Sequence, residues 1–250
     1  MHPILLIAYT FVTLSVLMYV VILVLNVRRR FSPNLNKKRI LFVTAHPDDE
    51  CMFFGPAIVD MSQDCEIYLL CFSSGNFYKQ GEVRKLELLA CCKILGIPPD
   101  NVELLDISSL PDNPDVDWNV KILCQNIEHF SKHVDANAIF TFDKDGVSNH
   151  RNHKALYNAI RNLSSRPARP GFLGYYVLET VSIWRKYISL MDLPYSILSG
   201  KNYFISTPNS IIKAQKAMYA HWSQFVWFRV LYILFSRYMI INTFQEIKQT

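Results

Sequence analysis

At 250 residues the chain has room for one substantial domain with appendages, and a composition of 50% hydrophobic and 19% charged residues is oily for a purely soluble protein, pointing to membrane contact. The net charge of +5 is crowded into Arg28, Arg29, Arg30, Lys37, Lys38 and Arg39, directly after an apolar N-terminus. A basic run so placed reads as a membrane flank, and no nucleic-acid partner is expected. The six cysteines lie within apolar runs, Cys91 and Cys92 are adjacent, and none has Cys-x-x-Cys spacing, which argues for buried free thiols and against a zinc finger or redox role.

In chain order, Pro3 to Val27 carries no charged side chain, and as a helix it would extend roughly 37 Å, enough to span a bilayer core with some tilt. The run is longer than that of a cleaved signal peptide, lacks a basic front and is followed by no small-x-small cleavage site. Residues 1–27 are therefore expected to be a transmembrane signal-anchor helix. The arginines after it stay on the cytoplasmic side, which leaves the N-terminus lumenal and the remainder cytosolic. Residues 28–39, with Ser32-Pro33-Asn34, read as a basic linker.

Ile40 to Val43 is an apolar, partly β-branched run of the kind that forms a buried strand. It stops at Ala45-His46-Pro47-Asp48-Asp49-Glu50, where Pro47 fixes φ and the acidic residues suit a helix start. Cys51 to Met61 reads as that helix, Glu66 to Ser73 as a second strand ending in Ser74-Gly75-Asn76, and Glu82 to Leu95 as a helix stopped by Gly96. Val102 to Ile107 is a third strand, Asn119 to Phe130 a helix, and Ala138 to Phe142 a fourth strand. The last leads into Asp143-Lys144-Asp145-Gly146-Val147-Ser148-Asn149-His150-Arg151-Asn152-His153, with two histidines three apart at a helix start. Leu173 to Glu179 and Asn202 to Ser206 look like later strands. The alternation predicts an α/β domain over 40–210, a mostly parallel, Rossmann-like sheet in a three-layer sandwich.

Residues 211–250 read as an aromatic helical stretch in which Trp222, Phe225, Trp227, Phe228 and Phe235 surround Arg229, with a break at Arg237. An arginine at mid-membrane is costly, by about 2.5 kcal/mol or more on insertion scales. The stretch therefore suits the membrane interface better than a second span, with packing on the sheet as the competing reading.

Ligands collect beyond the carboxyl ends of strands in open α/β sheets. His46 and Asp49, at such an end, offer the mixed nitrogen and oxygen donors of a catalytic zinc site, and a third donor can come from His150 or His153. Taken alone, the acidic triplet would be a helix cap and the histidine pair solvated surface. Both follow strand-like runs, however, and would meet at one sheet edge. Spacing alone does not decide which histidine binds the metal. Such a site can activate a water, with Asp48 free to take its proton, while whichever of His150 and His153 does not bind the metal can, when protonated, face a developing negative charge.

The two motifs, Ala45-His46-Pro47-Asp48-Asp49-Glu50 and Gly146-Val147-Ser148-Asn149-His150-Arg151-Asn152-His153, resemble those of the zinc-dependent de-N-acetylases that act on N-acetylglucosamine joined to inositol or related groups. The resemblance covers roughly Arg39 to Phe204. It assigns His46, Asp49 and His153 to Zn2+, although such nitrogen and oxygen donors accept other divalent ions. It implies amide hydrolysis in which Asp48 takes the proton of a water and passes it to the leaving amine while a protonated His150 is aimed at the developing oxyanion. It also matches Arg84 and Asp106 to positions that hold the glucosamine ring, where structural ion pairs are the plain alternative. Ser148 stands where some members carry an aromatic residue, so lid contacts do not transfer. With the apolar N-terminus added, the resemblance implies a substrate of phosphatidylinositol-linked N-acetylglucosamine, met at the lipid surface of the endoplasmic reticulum during glycosylphosphatidylinositol-anchor synthesis. The rival readings are a deacetylase of another N-acetyl sugar or small amide and an inactive membrane adaptor.

Overall fold

A computed structural model describes residues 3–31, 34–113, 115–199 and 202–248, so Met1, His2 and the Ser32-Pro33 part of the expected linker lie outside it. Eight strands form one mixed sheet: β1 (Arg29–Arg30), β2 (Arg39–Thr44), β3 (Glu66–Cys71), β4 (Val102–Leu104), β5 (Ala138–Phe142), β6 (Gly174–Leu178), β7 (Asn202–Ile205) and β8 (Ile241–Ile247), in the order β1-β7-β8-β6-β5-β2-β3-β4. The helices are α1 (Pro3–Val24), α2 (Asp49–Phe53), α3 (Gly55–Met61), α4 (Gly81–Leu95), α5 (Val120–His133), α6 (Gly146–Asn149), α7 (Arg151–Ser164), α8 (Ile183–Tyr187), α9 (Leu193–Leu198), α10 (Pro208–Ala220) and α11 (Trp227–Phe235).

Strands β6, β5, β2, β3 and β4 run parallel, with Leu41 opposite both Tyr68 and Ile139. The chain leaves β2 toward β3 through α2 and α3, and leaves β5 in the other direction toward β6 through α6 and α7. Parallel crossovers are right-handed, so these two sets of helices lie on opposite faces of the sheet. The order of winding reverses between β2 and β5, and a crevice opens at their carboxyl ends. That crevice receives both motifs. Beneath it Phe42 stacks on Phe140 with centroids 5.2 Å apart, and Phe54 and Phe142 meet at 5.1 Å, contacts of about 0.5–1.5 kcal/mol each beyond their burial.

The sheet is less parallel than the alternation in the sequence suggested, because β8 pairs antiparallel with both β6 and β7. The C-terminal stretch is correspondingly not one helix. It contains most of α10, the short α11, and a strand inserted between β7 and β6, with Phe244 fully buried. The basic linker is also partly structured: β1 hydrogen-bonds to β7, Arg28 pairs with Asp60, and Arg29 reaches Asp64 at 2.9 Å. Leu5–Val24 is long and apolar enough to cross a membrane. The far end of α1 rests on the domain, where Tyr19 Oη donates to the Ser206 carbonyl (2.7 Å) and Ile22 packs with Leu193, Tyr203, Ile205 and Ile241. The six cysteines are unpaired.

Candidate active site

The turn after β2 is closed by its own carboxylates. Asp49 Oδ2 accepts the Ala45 and His46 N–H groups at 3.0 and 2.9 Å, and Glu50 Oε2 accepts the Asp48 N–H at 3.0 Å. Asp48 precedes α2 without a capping hydrogen bond and has φ 114°, a conformation that non-glycine residues rarely adopt. Such strain persists only where the surroundings enforce it. Here the enforcing groups are Glu50, anchored 2.6 Å from His221 Nε2, and Arg229, whose Nη2 donates to Asp48 Oδ2 at 2.6 Å.

The loop after β5 is tied just as firmly. Asp143 Oδ1 accepts the Asp145 and Gly146 N–H groups (3.1 and 3.0 Å) and its Oδ2 accepts the Thr180 N–H (2.6 Å). Gly146 has φ 61°, and a Cβ there would come within 2.9 Å of His153 Cβ, so only glycine lets the backbone approach that ring. Val147, also at φ 60°, is held by the Thr180 hydroxyl at 2.8 Å. His150 sits just before α7 and His153 in its first turn. The His153 ring lies flat on Phe142, with centroids 3.8 Å apart.

The hydrogen-bond pattern defines the state of His153. Its Nδ1 lies 3.0 Å from the Gly146 carbonyl, which can only accept, so Nδ1 carries a proton, and in the neutral ring Nε2 then offers a lone pair. Nε2 is buried without a hydrogen-bond partner and faces Asp49 Oδ1 at 3.2 Å. A lone pair against an anionic oxygen calls for a cation between them. His46, His150 and His153 bring their ring nitrogens within 4.8 Å of one another beside this pair. The three imidazoles, with Asp49 Oδ1 beside His153, offer mixed nitrogen and oxygen donors of the kind the expected metal takes, and the Gly146 carbonyl would be the outer partner that orients the His153 ring.

Electrostatics separates the two remaining residues. Burial and the neighbouring His153 and His46 push His150 down to about 4, so it is neutral at pH 7. Burial among other imidazoles thus works against the standing imidazolium expected at this position. Burial also works against a charge on His46, yet Asp112, Asp49 and Asp48 outweigh it and raise its pKa. Among the described residues both guanidinium contacts of Asp48, from Arg229 at 2.6 Å and Arg84 at 3.5 Å, fall on Oδ2, which leaves Oδ1 for a water.

A cavity of about 330 Å3 is lined by His46, Asp48, Asp49, Arg84, Asp112, His150, His153 and Arg229. Arg84 is buried and donates to the Gly75 and Pro47 carbonyls at 2.9 and 2.6 Å, presenting its guanidinium to the cavity. Asp106 is not among the lining residues; its Oδ1 accepts the Ser74 N–H and hydroxyl at 3.0 and 2.8 Å and so shapes the neighbouring turn. Besides Asp48 and Asp49, the acid that reaches the cavity is Asp112, 3.2 Å from His46 Nε2 and 3.7 Å from Arg84 Nη1. Asp112, Asn152 (Nδ2 3.0 Å from His46 Nε2), Arg229 and His221 were not picked out from the sequence. Only Arg229 carried a signal there, as a charge inside an apolar helix.

Residues 41–164 match the model of a family described as PIG-L: GlcNAc-PI de-N-acetylase. The N-acetylglucosaminyl-phosphatidylinositol de-N-acetylase of Bos taurus is 47% identical over 210 residues, covering 82% of each chain. The chain belongs to the GlcNAc-PI de-N-acetylase family. A probable enzyme of the same name from Schizosaccharomyces pombe is 34% identical over 93% of this chain and 97% of its own. The fold is shared more widely: N,N'-diacetylchitobiose deacetylase from Pyrococcus horikoshii superposes with a TM-score of 0.62 over 85% of this chain and 84% of its own, at 14% identity. The match to the GlcNAc-PI de-N-acetylase model contains both turns of the site, from His46 to His153, and ends at the last residue of α7.

Proposed function

We propose that this protein is a zinc-dependent hydrolase that removes the acetyl group from N-acetylglucosaminyl-phosphatidylinositol, giving glucosaminyl-phosphatidylinositol and acetate, an early step of glycosylphosphatidylinositol-anchor synthesis. The observation that carries the chemistry is His153 Nε2, buried without a hydrogen-bond partner and 3.2 Å from Asp49 Oδ1 in the wall of the cavity, with Nδ1 of the same ring held by the Gly146 carbonyl. His46, Asp49 and His153 would hold the ion, which when bound lowers the pKa of a water and polarises the acetyl carbonyl. Asp48, with Oδ1 free and Oδ2 clamped by Arg229, accepts the proton of the attacking water and returns it to the leaving amine. Neutral His150 stands 4.9 Å from both His46 and His153, ring centre to ring centre, and offers an N–H to the oxygen on which charge develops. Arg84 is suited to the sugar hydroxyls, while Asp112 takes the place that Asp106 was expected to fill.

The parallel half of the sheet, with helices on both faces, supports a Rossmann-like three-layer core. The apolar α1 and its basic flank support a single-pass anchor in the endoplasmic reticulum membrane with the site in the cytosol, where the lipid surface presents the substrate. The deciding experiment measures bound metal and acetate release from N-acetylglucosaminyl-phosphatidylinositol for the parent, Asp48→Asn and His153→Ala. Retained zinc with lost turnover in Asp48→Asn, and loss of both in His153→Ala, is the expected result. A parent that binds no metal and releases no acetate would sink the proposal.

A further inference from the structure

The catalytic cavity is contiguous with a second, apolar cavity of about 630 Å3, since Met52, Phe53, Ser148 and Arg229 line both. Its outer wall is built by Phe228, Leu231 and Phe235 of α11, facing Tyr187 of α8. These four side chains are also exposed to solvent, an unusual use of large apolar residues unless something apolar covers them. One cation reaches the same space. Lys186 Nζ donates to the Val147 carbonyl at 3.2 Å and has no ion pair among the described residues, whereas Arg229 is committed to Asp48. An apolar cleft with one uncommitted ammonium fits an amphiphile whose anionic group sits near the start of a hydrocarbon chain.

The position of the cleft points to the same ligand. Helix α8 packs on both α11 and the short turn Ser189–Asp192, and that turn, together with α9, packs on the base of α1. The elements that wall the cleft are therefore joined through this turn to the base of the apolar helix, and exposed Trp184, Leu198 and Trp227 lie on α8, α9 and α11.

Resting on the deacetylase reading above, we propose that this cleft is a lipid subsite: one acyl chain of the glycolipid substrate lies between α8 and α11, and Lys186 binds the phosphodiester. The subsite places the sugar at Asp48 while the chain is partly withdrawn from the bilayer. Membrane attachment alone would not do this.

The test uses the full-length protein in nanodiscs and water-soluble substrates: N-acetylglucosaminyl-inositol, its phosphate, and alkyl phosphodiesters of increasing chain length kept below their micellar concentrations. kcat/KM should rise by roughly fourfold per methylene until the cleft is filled, and then level off. Leu231→Asn and Phe228→Ser, both at exposed positions, should flatten that rise far more than they slow the unlipidated substrate. Lys186→Ala should remove the step gained on adding phosphate. Coincident slopes for parent and variants, or a flat parent slope, would mean that the chain stays in the bilayer and α11 merely touches it, which overturns the subsite and leaves the deacetylase reading intact. If no substrate releases acetate, the underlying reading fails and takes the subsite with it.

Discussion

His221 and Glu50 form a pair whose removal should be felt in both stability and turnover. Nε2 and Oε1 are 2.6 Å apart, the side chains are 2% and 0% exposed, and the other carboxylate oxygen holds the Asp48 N–H at 3.0 Å. Burial alone would lower the His221 pKa, but the Glu50 charge overrides it and holds it well above the usual histidine value. His221→Ala strands a buried carboxylate with one remaining N–H partner. Breaking a buried pair from one side costs about 3–5 kcal/mol, which for a chain of this size is a Tm loss of about 6–20 °C. Because the folded pKa is raised, the stabilisation is complete below the unfolded value of about 6.5 and disappears only as pH rises through the folded value, in the alkaline range. Thermal unfolding followed by tryptophan fluorescence from pH 6 to about 9 should show the parent ahead of His221→Ala throughout neutrality. The Glu50→Gln/His221→Gln double variant, which replaces the pair with neutral hydrogen-bonding groups, should recover part of the loss. A Tm within about 2 °C of the parent, or a difference that vanishes between pH 6 and 7, would refute the ion pair.

The other predictions concern the loops and the topology. Gly146→Ala forces a Cβ to 2.9 Å from His153 Cβ at φ 61°, so it should cost about 1–3 kcal/mol and lower bound metal; Gly171→Ala, also at positive φ but with nothing within 4 Å, should leave metal content unchanged. Asp112→Asn removes the carboxylate beside His46, whose negative charge is favoured there by His46 and Arg84 against the effect of burial; metal affinity or turnover should fall about 10–100-fold, read by chelator competition and acetate release. Asn162 is exposed on α7 within an Asn-Leu-Ser sequon. In the cytosolic orientation mass spectrometry should find it unmodified, and a glycan there would reverse the topology.

What could be read from the sequence was local. His46, Asp48 and Asp49 follow one apolar run, and His150 and His153 follow another. Because β2 and β5 are neighbours in the sheet, naming the two strand ends was enough to bring the donors together. The residues that were missed act across long separations: Asp48 meets Arg229 181 positions away, and Glu50 meets His221 171 positions away. No periodicity encodes such contacts. Asp106 and Asp112 illustrate a finer limit. Both follow the third strand of the alternation, and only the turn at Leu110, which hydrogen-bonds back to Ile107 at 2.8 Å, aims the second acid at His46. The antiparallel β8 was hidden for another reason. Ile241–Ile247 follows an aromatic helical run without a glycine between them, so its apolar residues continued the helix pattern until the ladders with β6 and β7 claimed them.

The C-terminal arginines show how one cost argument admits two ways of meeting the cost. An arginine in an apolar helix needs compensation for its charge, and the sequence offers two places for it, the membrane surface and packing on the sheet. In the fold, Arg237 is fully buried with Nε 2.9 Å from Asp192 Oδ2, and Arg229 closes on Asp48. The same helix that offers Arg229 to Asp48, the proposed base, turns Phe228 and Leu231 outward. One face of α11 is therefore bound into the site while the other remains apolar and uncovered. A helix serving only the membrane would have no use for a guanidinium 2.6 Å from Asp48 Oδ2, and one serving only the core would not leave those aromatic and aliphatic groups in water.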